Sequence, residues 1–204
     1  MLRQDGVQSL TLRRLAERLD VTPMALYRHV EDKDDLLSAV LSGLIETRHF
    51  PERSGRWDTY LRRYAHGLRA LLLEHRDLVR SILRSRNLRL PAIDAMEEAL
   101  AILDRAGFTQ AEAAKIFTSL NAFTIGSTLW QTMREQEQQE EANPEAAPRD
   151  RYWVLDFEAL DAERFPALRR HARALESRTF EREYEEGIDR ILQDARARLK
   201  RRGR

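Results

Sequence analysis

Apolar residues recur along this chain at helical spacing, segment after segment. Leu12, Leu15, Ala16 and Leu19 stand at i, i+3, i+4 and i+7, which predicts a helix over Leu12–Leu19 with one apolar stripe. Arg13, Arg14, Glu17 and Arg18 lie off that stripe, and Thr11 is placed to cap it. Asp20-Val21-Thr22-Pro23 interrupts the pattern; Thr22 can cap a second helix and Pro23 suits its first position. That helix is expected over Pro23–Val30, Leu26 and Val30 facing inward and Met24, Ala25, Tyr27 and Arg28 spread over the outer surface. Asp32, with Asp35 three residues on, predicts the start of a third helix running to about Arg48, and Pro51 ends this unit.

From Trp57 the stripes lengthen. Helices are expected over Trp57–His75, Asp77–Arg84, Pro91–Ala106 and Gln110–Met133, with Gly107 just past the third and Thr109 capping the fourth. From about Glu135 to Arg151 no apolar residue exceeds alanine, which predicts a mobile loop with nothing to offset the entropy of ordering. A short helix near Arg164–Leu175 and a long one near Arg178–Lys200 follow, and Arg196–Arg204 is a basic end.

Composition narrows the classes. Apolar residues make up 42% and charged residues 34%, with eight glycines, six prolines and no Val/Ile/Thr alternation, so the fold is expected to be all-α. With no cysteine, disulfides, cysteine metal clusters and thiol nucleophiles are excluded. No apolar run reaches the roughly 20 residues of a membrane span, and Asp5 stands where a signal peptide would be apolar, so the expected location is cytoplasmic. A net charge of +1 decides nothing, but the first thirty residues hold Arg3, Arg13, Arg14, Arg18 and Arg28 against three acids. No nucleophile elbow, phosphate-binding glycine loop or HExxH appears, so an enzyme is not expected.

Two short helices joined by a tight turn, the second displaying polar and aromatic groups outward, describe a helix-turn-helix. A duplex major groove admits one helix, and a second must brace it across the backbone. The segment Leu10–Leu37, LTLRRLAERLDVTPMALYRHVEDKDDLL, resembles the TetR family signature in residue type and spacing, above all at Ala25-Leu26-Tyr27-Arg28-His29-Val30 with Lys33. Trp57–Arg76, Ala106-Gly107-Phe108-Thr109 and Phe180–Leu192 resemble the tetracycline-repressor-like C-terminal domain.

The resemblance implies a DNA-binding domain over residues 1–50 and a ligand-binding and dimerisation domain over 51–204. By it, Arg13, Thr22, Pro23, Ala25, Tyr27, Arg28 and His29 face DNA and Lys33 meets a phosphate. Arg28 could hold a guanine bidentately or clamp a phosphate, and Tyr27 could touch base or backbone. Two departures stand out. Asp20 occupies the turn position usually held by glycine, and of the helix expected before Gly6 only a stub, Met1–Gln4, is present. The first helix is therefore expected to be truncated and the stripe Leu12, Leu15, Leu19 partly uncovered.

The resemblance also implies a homodimer, through the helices near 110–133 and 178–200, that binds double-stranded DNA and a small-molecule effector. His49, Tyr64, Leu68, Ile82 and Met96 match the family's pocket positions. On Gln110–Met133, Phe117, Asn121, Thr124 and Thr128 make a face suited to a pocket wall, and Ile116, Leu120, Phe123 and Ser127 one suited to a partner helix. Ile82 replaces the family's metal-ligating histidine, so the resemblance implies no metal or cofactor and a largely apolar organic effector. Asn121 could equally be a buried amide bonded to backbone, and the C-terminal domain could be a dimerisation body alone.

Overall fold

The computed structural model describes residues 11–47, 55–76, 90–140, 150–153 and 155–202. Among these the secondary structure is helical: α1 (Leu12–Arg18), α2 (Pro23–Tyr27), α3 (Lys33–Thr47), α4 (Trp57–Glu74), α5 (Leu90–Arg105), α6 (Gln110–Glu140), α7 (Pro166–Glu176) and α8 (Phe180–Arg202). The β geometry found among the described residues is one isolated antiparallel bridge, Arg151 with Thr179. The all-α expectation therefore stands. The stub Met1–Gln4, the helix expected at Asp77–Arg84 and the boundary expected at residue 50 lie outside the described residues.

Local chemistry sets the helix ends. Thr11 adopts extended geometry and accepts the Arg14 amide at 3.2 Å, opening α1. The helix closes with Asp20 in the left-handed region, φ 54°, while the Asp20 amide donates to Glu17 O and the Val21 amide to Ala16 O. This paired closure is the one glycine normally serves, and the end of α5 repeats it at Gly107, φ 93°, whose amide donates to Asp104 O while the Phe108 amide donates to Leu103 O. Asparagine and aspartate tolerate this geometry best among residues with side chains, which is why Asp20 keeps the turn. Thr109 and Glu112 then bond reciprocally to open α6, as expected.

The chain divides into two compact units, Met1–Asn121 and Ala122–Arg204. In the first, α1 packs on α2, α3 on α5, and α4 on α5. Val30, Leu36 and Leu37 form a small core, joined by Leu12, Leu15, Val40 and Leu44. Leu19 departs from the stripe: it is the C-terminal cap of α1 and 56% exposed. The larger core joins Tyr60, Leu61, Leu68, Leu71 and Leu72 of α4 to Ala99, Ile102 and Leu103 of α5 and to Ile116, Phe117 and Leu120 of α6. Trp57 meets Phe108 edge-on at 5.0 Å.

In the second unit Phe180, Tyr184, Ile188, Leu192 and Ala195 bury one stripe of α8, and Thr124, Thr128 and Thr132 bury one of α6. The Thr128 hydroxyl donates to the Thr124 carbonyl at 2.7 Å and the Thr132 hydroxyl to the Leu129 carbonyl at 2.9 Å, so these two are satisfied within their own helix.

Two boundaries differ from the pattern reading. The second helix stops at Tyr27, not Val30, because the amides of His29 and Val30 both turn back to the Leu26 carbonyl and Val30 swings into the core. The fourth long helix runs on to Glu140, through the start of the expected loop. Glutamate and glutamine are good helix formers, and an i,i+4 bond from Gln131 to Glu135 at 2.9 Å supports the extension.

Candidate nucleic-acid interface and effector site

Thr22 and Pro23 set the direction of α2. The Thr22 side chain accepts the Ala25 amide at 3.3 Å and Pro23 occupies the first helical position. Leu26 is half-buried and Val30 buried, so the helix is held from behind. Tyr27, Arg28 and His29 are exposed at its far end, Arg28 being the cap residue. Ala25 is half-buried, so the broad outer surface foreseen for α2 narrows to Met24, Tyr27 and Arg28.

Arg13 is exposed on α1 and pairs with Glu17 at 3.3 Å. Exposed i,i+4 pairs are worth little and exchange readily, so this guanidinium can turn to a phosphate at small cost. Lys33 stands at the first position of α3, where the helix dipole disfavours a cation. The same helix start bonds the Asp35 amide to Asp32 at 2.8 Å and the Glu31 amide to Asp35 at 3.0 Å.

One residue of this surface was left out of the reading set. Met24 is 70% exposed, the most of any large hydrophobic side chain among the described residues. Its signal was an apolar residue on the outward face three positions before Tyr27.

In the body, the structure brings together Tyr64, Phe117 and Asn121. The Tyr64 hydroxyl donates to Asn121 Oδ1 at 2.9 Å, Asn121 Nδ2 donates to the Phe117 carbonyl at 3.0 Å, and the Tyr64 and Phe117 rings lie 5.8 Å apart. Burial pushes the Tyr64 phenol up to about 12. It is a permanent donor at ordinary pH. Leu68 is buried on the same helix and Met96 half-buried on α5. Thr124 belongs to the second unit, where its hydroxyl meets the Tyr184 hydroxyl at 3.3 Å. His49 and Ile82 lie outside the described residues. A separate open cleft of about 90 Å³ is lined by Tyr60, Glu97, Glu98, Ala101 and Arg105, a set the sequence did not indicate.

The face of α6 expected to meet a partner helix is corrected. Ile116 and Leu120 are buried in the first unit, and Phe123 packs on Tyr184 and Gly187 in the second. The outward face of this helix instead carries Ala122, Gly126, Trp130 and Met133.

A capped two-helix reader on an all-helical body defines a helix-turn-helix regulator. The chain belongs to the TetR family: residues 1–40 match the bacterial regulatory proteins of the tetR family and residues 50–199 the tetracyclin repressor-like C-terminal domain. It is 34% identical to the class C tetracycline repressor of Escherichia coli over 146 residues, 69% of this chain and 65% of that protein. It thus spans just under two thirds of that relative's length. With the class G repressor of Vibrio anguillarum it is 31% identical over 150 residues, 72% of this chain and 71% of the relative. The Streptomyces coelicolor TetR family protein ActR, solved in complex with actinorhodin, matches with a TM-score of 0.77 at 26% identity, covering 97% of this chain and 92% of that one.

Proposed function

We propose that this protein is a ligand-responsive DNA-binding transcriptional regulator, a repressor released from a palindromic operator by a small organic molecule. The observation that carries the reading is the reader itself. Helix α2 is locked from behind by Leu26 and Val30, which leaves Tyr27 and Arg28 exposed beside the basic face of α1. Arg13, Thr22, Pro23, Ala25, Tyr27, Arg28 and His29 make up the DNA face, and Lys33 completes it at a phosphate. The functional division near residue 50 is supported by the two family matches, 1–40 and 50–199. The family's role is regulation, so no catalytic activity is assigned, and the place of action is the cytoplasm, with the DNA.

A two-fold operator requires two readers, so the protein acts as a homodimer through the helices near 110–133 and 178–200. Trp130, 43% exposed, and Met133 on the outward face of α6 support this, being apolar surface that their own chain does not cover. The effector is assigned to Tyr64, Leu68, Met96, Phe117 and Asn121, with His49, Ile82 and Thr124 from the sequence. Buried rings and aliphatic groups around one amide and one phenol suit a largely apolar organic molecule with a polar handle. Operator and effector must lower each other's affinity by the same factor.

Selection of bound DNA from a random pool tests the reading. The full chain is expected to enrich a palindrome, and the Arg28→Ala protein to enrich it more weakly. Failure of the intact protein to enrich any sequence would remove the assignment. Addition of apolar aromatic compounds to the labelled complex then identifies the effector as the one that releases DNA.

A further inference from the structure

Four of the ten large hydrophobic side chains exposed among the described residues, Leu19, Val21, Met24 and Tyr27, fall within nine residues of the reader. Met24 and Tyr27 are three apart on α2 and so neighbours on one helix face. Both are more than half exposed, at 70% and 54%. A solvated reading helix has no use for such a patch, and the surrounding charge says what covers it. Exposed Arg28 follows Tyr27 directly, exposed Arg13 stands on α1, which packs on α2, and Lys33 begins the next helix, so the partner that fits is polyanionic with apolar groups at its centre. The duplex major groove has that character: phosphates form its edges, and the apolar group on its floor is the 5-methyl of thymine.

We propose that Met24, backed by the Tyr27 ring, reads thymine by burying its methyl group. The inference rests on the DNA-reading function above and names the base that function selects. Thioether side chains suit this role because they are unbranched and polarizable and adapt to a small apolar target. Cytosine, which presents an amino donor and no methyl at the same place, would leave the contact unmade.

Replacing thymine by deoxyuridine tests this, because it deletes the methyl and leaves the pairing and hydrogen-bonding edge intact. The operator is first obtained by selection with the full chain. Its thymines are then replaced one at a time, and affinity is measured for the intact protein, Met24→Ala and Met24→Gln. Loss of one buried methyl is expected to weaken the intact protein about fourfold per half-site at one position, and both variants should bind the two operators equally. Because Met24 is so exposed, both variants are expected to fold, which far-ultraviolet circular dichroism verifies. An operator insensitive to every replacement overturns the inference, as does an unchanged thymine-to-uracil ratio in the variants. So does equal weakening on all sequences, which would place Met24 on the sugar-phosphate backbone. A selection that enriches a site bound more weakly by Arg28→Ala but carrying no thymine beneath α2 overturns this inference alone. Enrichment of no sequence overturns the DNA-reading function with it.

Discussion

The ring of Phe123 rests on the backbone of Gly187, in the space a β-carbon at that position would need. The same ring stacks on Tyr184 at 5.8 Å, 10° from parallel, and Tyr184 is fully buried. Helices α6 and α8 approach this closely because residue 187 has no side chain. Gly187→Ala is therefore expected to cost about 1–3 kcal/mol as overpacking forces the ring from its stack, despite the better helix propensity of alanine. Gly43, within α3, is the control, since a β-carbon there meets nothing within 4 Å. Gly43→Ala should be neutral or stabilising by up to about 1 kcal/mol. Urea unfolding of both variants measures the difference; equal stability would mean the ring moves away without loss.

Arg28→Ala should leave the unfolding midpoint unchanged, because the side chain is exposed. Operator affinity should fall by about 1–3 kcal/mol if the guanidinium holds a base. The salt dependence tells the two contacts apart. Loss of a base contact relaxes the preference at one base pair, whereas loss of a phosphate contact weakens all sequences and makes the salt slope shallower by about one. Anisotropy titrations at several salt concentrations, on the selected site and its single-base variants, decide between them.

Tyr64→Phe removes the donor to Asn121 Oδ1. The expected loss is about 1 kcal/mol, the low end for an unsatisfied polar group, because Asn121 is half-buried and water can reach it. The raised phenol adds a pH signature. Stability from a group whose folded value lies above its ordinary one is intact below 10.0 and is lost as pH rises through about 12. The advantage of the natural protein over Tyr64→Phe should therefore shrink across that alkaline window and be constant below it.

Glu186 gives the opposite sign. Hydrogen bonds from Arg178 first, then Arg182, lower its carboxyl from 4.5 to about 2. Arg178 meets it through two nitrogens, at 3.1 and 2.6 Å, and also pairs with Glu183. A lowered carboxyl contributes stability that is present above its ordinary value and lost as pH falls through the folded one. Glu186→Gln should be less stable than the natural protein at neutral pH, with the gap closing between pH 4.5 and about 2. The cluster is only partly buried, with Arg182 exposed, so added salt should narrow the gap as well. Acid titrations followed by circular dichroism, at low and high salt, provide the check.

Much of this protein was legible before any coordinates. Thr11, Thr22, Asp32 and Thr109 cap helices as their positions indicated, and Asp20 and Gly107 take the left-handed turns expected of them. Such features are settled by atoms within four or five residues of one another, and a local sequence carries that information. The tertiary structure decided which faces meet. Periodicity placed Ile116 and Leu120 on a stripe but not against their own chain, and it placed Leu19 on a stripe it does not share. Nothing local joins Tyr64 to Asn121, 57 residues away, or lays Phe123 on Gly187. A helical repeat defines an apolar side yet leaves the helix free to rotate and slide against its neighbours. Those two freedoms are removed only when all the side chains pack at once.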